Sequence, residues 1–98
     1  MTDFTLENGS LTCRFTGRMD SHASMEAEKI VASKMKEASP AKVVFDLAEV
    51  HYIASGFVRI CLQTAKSLAT GDFSITNTSP SVMKIFVMTG LDKELKVS

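Results

Sequence analysis

Residues 42–47, Lys-Val-Val-Phe-Asp-Leu, constrain the fold more than any other part of the chain. The run is rich in β-branched and aromatic residues and almost continuously apolar. That suits a strand covered on more than one side, central and parallel. Residues 50–53 carry the apolar run on to a short step at Ala54-Ser55-Gly56. A parallel neighbour needs a long crossover, normally a helix, and helical patterning stands on both sides of the run.

From about Ser21 to Ala38 the apolar period is helical. Ala23, Ala27, Ile30, Val31, Met35 and Ala38 form one stripe, with Glu26, Glu28, Lys29, Lys34, Lys36 and Glu37 mostly away from it. Asp20 or Ser21 caps the start, and Ser39-Pro40 ends the helix. Gly56 to Ala69 reads as a second helix, apolar at Val58, Cys61, Leu62, Ala65, Leu68 and Ala69, and closed by Thr70-Gly71-Asp72. Before the first helix, residues 2–7 and 10–16 alternate apolar positions around Asn8-Gly9, a hairpin signal because both residues tolerate positive φ. Gly17 closes the second of these strands. After the second helix, Phe73 to Thr76 is a further strand. Asn77-Thr-Ser-Pro80 leads into a third helix with Pro80 in its first turn, Val82, Ile85, Phe86 and Thr89 on one side, and Gly90 as C-cap. Glu94 to Val97 forms a last short strand.

The order is β-β-α-β-α-β-α-β, an α/β fold with a mixed, mostly parallel sheet of about five strands and three helices. The chain reads as one domain over residues 1–98. The six methionines are expected to be mainly core filling.

Charge narrows the function. Eleven basic residues cancel eleven acidic ones, so nothing favours direct binding of nucleic acid or an anionic membrane. Met-Thr-Asp-Phe-Thr is not a signal-peptide start, and no run approaches the roughly 20 apolar residues of a membrane span. A cytoplasmic location is the expectation. Cys13 and Cys61 read as buried reduced thiols: they lack a CxxC spacing and a histidine cluster. No metal site, Gly-rich phosphate loop or cofactor is indicated.

Four blocks, in order, make the chain resemble the STAS domain family, the anti-sigma factor antagonists and their relatives. Phe15-Thr-Gly-Arg-Met-Asp20 resembles the family's opening strand and turn. Val43-Val-Phe-Asp-Leu-Ala-Glu-Val50 resembles its central strand. Tyr52-Ile-Ala-Ser-Gly-Phe57 stands in place of its switch loop. The stretch from Thr78 to Gly90-Leu91 resembles its third helix and Gly-Leu ending.

The resemblance implies a protein that binds an anti-sigma factor which is also an ATP-dependent serine kinase of the GHKL type. That kinase phosphorylates a switch-loop serine and the complex separates; a metal-dependent PPM-type phosphatase restores binding. The family loop usually reads Asp-Ser-Ser-Gly or Ser-Ser-Ala-Gly, with the phosphoacceptor second, which implies Ser55. Ala54 replaces the usual Asp or Ser, Gly56 stands where Ser or Ala is common, and Phe57 where Gly is preferred.

Ser55 reads either as a helix N-cap or as the phosphoacceptor, and the two are compatible. Asp20 is a helix cap or part of the partner face beside Ser55. Phe57 is an exposed anchor or a core residue, and Arg59 a solvated arginine or a partner for phosphate or carboxylate. The expected partner surface is Asp20, Ala54, Ser55, Gly56, Phe57, Val58 and Arg59. Asp46 ends the central strand as a turn-stabilising carboxylate. A hydrolase triad of Ser55, His51 and Asp46 is not supported, because no Gly-x-Ser-x-Gly elbow is present; the chain reads as no enzyme. The rival readings are a constitutive STAS subunit of a membrane transport complex, bound to its ATPase or permease, and a small-ligand sensor.

Overall fold

The computed structural model describes residues 2–69 and 71–98. Thr70, expected to help close the second helix, and Met1 lie outside them. The elements are β1 (Thr2–Glu7), β2 (Ser10–Met19), α1 (Ser21–Ala38), β3 (Lys42–Ile53), α2 (Ser55–Lys66), β4 (Phe73–Thr76) and α3 (Pro80–Met88). They build a four-stranded sheet in the order β1-β2-β3-β4. β1 and β2 pair antiparallel, while β2–β3 and β3–β4 are parallel. Asn8 and Gly9 join the hairpin at φ 51° and 79°, both in the left-handed region that a two-residue primed turn requires.

The expected central strand is longer than its apolar run. β3 continues through Asp46, whose carboxylate accepts the Ala48 N–H at 3.0 Å. The strand shifts register near this point instead of stopping at a turn. β2 likewise runs past Gly17, which at φ 88° takes up a register irregularity beside Arg18. An added Cβ there would meet nothing within 4 Å, so conformation and not space selects glycine.

β3 is not covered on both faces. Val43, Phe45 and Leu47 are fully buried, whereas Val44 and Asp46, pointing the other way, are half-buried. Their neighbours on that second face, Thr12 and Arg14 of β2 and Ser74 and Thr76 of β4, are polar and partly exposed. Arg14 and Asp46 form an ion pair there at 3.7 Å, and Asn77 Nδ2 donates to Asp46 at 3.2 Å. The fifth strand reduces to one bridge between Ile75 and Val97. Lys96 at φ 50° breaks the extended backbone that Glu94–Val97 would need.

The buried face carries one aromatic cluster. Phe15 meets Phe45 edge-on at 4.9 Å between centroids, Phe45 meets Phe73 at 5.0 Å, and Phe15 meets Phe57 of α2 at 5.1 Å. Such contacts add about 0.5–1.5 kcal/mol each beyond area burial. Phe57 turns α2 so that Phe57, Ile60, Cys61 and Thr64 face the core, with Val58, Leu62, Ala65 and Leu68 only half-buried. Thr64 sits there because its hydroxyl bonds the Ile60 carbonyl at 2.8 Å. α1 buries Ser24, Ala27 and Val31, which leaves Ile30 exposed, off the expected stripe.

α3 is capped at both ends. Ser79 Oγ accepts the Val82 N–H, and Leu91 N–H donates to Phe86 O at 2.9 Å around Gly90 at φ 74°. The methionines are not mainly core: Met19 is buried, but Met25 and Met88 are exposed. Cys13 and Cys61 are buried free thiols. Burial pushes Cys13 up to about 12 and raises Cys61 as well.

Candidate functional site

The site forms where β2 and β3 end together. Met19 pairs with Ile53 in parallel register, and the next residue of each strand, Asp20 and Ala54, is the N-cap of a helix. Two helix starts therefore sit side by side at the carboxyl ends of adjacent parallel strands. One carbonyl joins them. Met19 O accepts the Ala54 N–H at 2.9 Å and the Ser24 hydroxyl at 3.3 Å.

Asp20 Oδ1 accepts the Ala23 N–H at 2.9 Å, and Ser24 N–H donates to the Asp20 carbonyl at 2.8 Å. The exposed Asp20 carboxylate therefore caps α1 with one oxygen. Ser55 does not cap α2. The cap position falls on Ala54, in extended backbone and without a side-chain bond, and Ser55 is the first helical residue. Ala54 O accepts from Phe57 N–H at 3.0 Å and Val58 N–H at 3.3 Å, so the first turn is closed by backbone alone. The Ser55 side chain is exposed, and its hydroxyl has no bonded partner among the described residues.

Gly56 is where α1 and α2 approach. A Cβ there would lie 3.4 Å from Ser24 Cβ, in van der Waals contact with α1. Phe57 is fully buried and cannot serve as the exposed anchor the sequence left open. Its ring stands between Phe15 and Phe45 because the first turn of α2 directs position 57 at the sheet. Val58 is half-buried and Arg59 exposed. Between the helix starts lies an open cleft of about 480 Å³, lined among others by Ser21, Ser24, Glu28, Ser55, Gly56 and Arg59.

The structure separates Asp46 from this site. Seven residue steps along β3 separate it from Ile53, about 23 Å at about 3.3 Å per residue, and its carboxylate is engaged by Arg14 and Asn77. No triad with Ser55 can form. Among the described residues no group of three His, Cys, Asp or Glu side chains is placed to hold a metal ion.

Two residues were missed by the sequence reading. The Arg18 guanidinium lies 4.4 Å from the Tyr52 ring centroid, and Tyr52 is 39% exposed. The pair stands one register step before Met19 and Ile53, so it flanks the Ser55 turn. An exposed tyrosine held by an arginine is the residue chemistry of binding hot spots. The only sequence signal was Tyr52 itself, an aromatic next to the loop; its partner is 34 residues earlier and needs the register to be found.

A family model for the STAS domain matches residues 3–98. The chain belongs to the STAS domain family. Solved STAS structures share its fold. An anti-sigma factor antagonist from Mycobacterium paratuberculosis is similar with TM-score 0.88 and 22% identity, over 99% of this chain and 83% of that one. The anti-sigma factor antagonist SpoIIAA in its unphosphorylated form gives 0.83 at 18% identity, over 100% and 88%. The Bacillus cell fate determinant SpoIIAA in its phosphorylated form gives 0.75 at 17% identity, over 100% and 91%. No sequence among the curated proteins matches the chain. In STAS terms the turn built from Ala54, Ser55 and Gly56 joins the central strand to the second helix, and Asp20 opens the first.

Proposed function

We propose that this STAS protein is an anti-sigma factor antagonist that switches partners through Ser55. It binds an anti-sigma factor that is also a GHKL-type serine kinase, in the cytoplasm, and acts as a substrate and ligand, not as a catalyst. One observation carries the reading: Ser55 is exposed at the first turn of α2 with its hydroxyl unbonded among the described residues, on a turn fixed from behind by the Ala54–Met19 bond. The nucleophile is thus available without unfolding anything. Transfer joins the Ser55 oxygen to the γ-phosphorus of ATP and releases ADP, the hydroxyl proton passing to a base of the kinase.

The phosphate adds roughly 1.5–2 negative charges. The α2 N-terminus offsets this by about 0.3–1 kcal/mol. A partner surface complementary to the neutral turn would have to desolvate the remainder, so release needs no refolding of the domain. A PPM-type phosphatase reverses the step. The partner face in this reading is Asp20, Ala54, Ser55, Gly56, Val58 and Arg59, extended by Arg18 and Tyr52.

The test is intact-mass and phosphosite mapping of the protein from its own host, beside a Ser55→Ala variant. A single phosphate at Ser55, absent from the variant, is expected. With a kinase partner in hand, Ser55→Glu is expected to weaken binding at least tenfold while leaving the fold intact. No phosphate under several growth conditions would sink the switch and favour a constitutive subunit of a membrane transport complex. The uncapped Ala54 position is compatible with that alternative.

A further inference from the structure

We infer that a phosphoryl group on Ser55 is held by this chain itself, in the cleft between the starts of α1 and α2, with Arg59 as its cation. The inference rests on Ser55 being a phosphoacceptor and names how the modified state is kept. Ser55 and Arg59 are one turn apart on α2, the spacing at which helical side chains meet, and both line the same cleft.

Arg59 is free to respond: among the described residues the ion pairs are Arg14–Asp46 and Lys34–Glu37, and Arg59 is in neither. The cleft, about 480 Å³, is many times the roughly 30 Å³ share of one liquid water, so it has room for a phosphoryl group. Gly56 on its floor carries no side chain, and an added Cβ would come to 3.4 Å from Ser24 Cβ, in ordinary contact. The Ser24 hydroxyl is committed to Met19 O. That leaves Ser21, exposed on the α1 wall, as the hydroxyl donor opposite Arg59.

The cleft also holds an opposing charge. Glu28, half-buried on α1, lines it and repels a dianion, and no ion pair joins it to Arg59. Asp20 and His22 flank Ser21 in sequence, and Glu26, exposed on α1, lies between His22 and Glu28. Arg59 and Glu28 therefore pull the second ionisation of the phosphate in opposite directions. The switch acts twice in consequence. Modification adds negative charge at Ser55, and it withdraws Arg59 from any partner carboxylate that had used it.

The experiment installs phosphoserine at position 55 during translation, so no kinase is needed, and follows the ³¹P resonance through the second phosphate ionisation near pH 6. In Arg59→Gln the midpoint is expected to rise by about half a unit or more, and in Glu28→Gln to fall. Arg59→Lys, which keeps the charge, is expected to stay nearer the parent. The Arg59 Nε–H resonance is expected to move with the phosphate titration in the modified protein and to stand still in the unmodified one. Equal midpoints in the parent and Arg59→Gln, or an Arg59 resonance indifferent to the phosphate, would overturn the inference. Failure of the host protein to carry phosphate would instead overturn the switch, and the two failures are read in separate samples.

Discussion

At the scale of single residues, the informative position is Ala54. The sequence suggested that Ser55 caps α2; the structure puts the cap one residue earlier, where no side-chain oxygen exists. That displacement leaves the Ser55 hydroxyl unbonded among the described residues. Two stability outcomes follow. Ser55→Ala is expected to change unfolding free energy by less than about 0.5 kcal/mol, as for a surface side chain without partners. Ala54→Asp is expected to raise it by about 1 kcal/mol, because a carboxylate at the cap satisfies a first-turn N–H. Urea unfolding of the two variants beside the parent reads both effects. A loss of 1 kcal/mol or more in Ser55→Ala would show that the hydroxyl is holding the turn after all. Ser55 could be picked out from sequence by its place between an apolar run and a helical period; that it was free to react could not, because one residue of register separates a cap from a first helical position.

At the scale of elements, α2 is set by Phe57. Periodicity alone chose a face through Val58, Cys61 and Leu62, since aliphatic spacing cannot tell which of two adjacent stripes is the deeper. Packing decided for Phe57, Ile60, Cys61 and Thr64, because an aromatic pocket between Phe15 and Phe45 was waiting on the sheet. Phe57→Ala is expected to cost about 3–5 kcal/mol and to loosen the Ser55 turn, observed as a lower denaturation midpoint and faster amide exchange at residues 54–58. A cost under 1 kcal/mol would mean that the ring is not the anchor of α2. The strands divided similarly. The Asn8-Gly9 hairpin, Phe73–Thr76 and the start of β3 were legible from alternation and turn chemistry. The continuation of β2 past Gly17 and of β3 past Asp46 was not, because a bulge lets a strand absorb a residue that reads locally as a stop. The final strand failed for the opposite reason: Lys96 takes a left-handed backbone that its side chain does nothing to announce.

At the scale of the whole molecule, the two thiols report on global unfolding. Cys13 and Cys61 are buried in the hydrophobic cluster, and burial raises both above the ordinary thiol value of about 9.0, Cys13 to about 12. The sign follows from linkage. Below pH 9 the thiols are protonated in both states and their contribution is full. Above it the unfolded chain ionises first, so stability falls as pH climbs toward 12. The double variant Cys13→Ala, Cys61→Ala, compared with the parent by denaturant midpoint from pH 8 to 11, is expected to lose part of that alkaline decline; an identical decline would remove the thiols as its cause. The sequence by itself determined the alternation of strands and helices up to the third helix and the opening hairpin, since these follow from periodicities of two and 3.6 residues that local chemistry sets. Only the tertiary structure decided that one sheet face stays polar, that Phe57 is inside, that Arg18 meets Tyr52, and that two helix starts enclose a cleft with Ser55, Glu28 and Arg59. Each of those depends on the register between segments far apart in the chain, and register is fixed by how side chains from different elements fill one space.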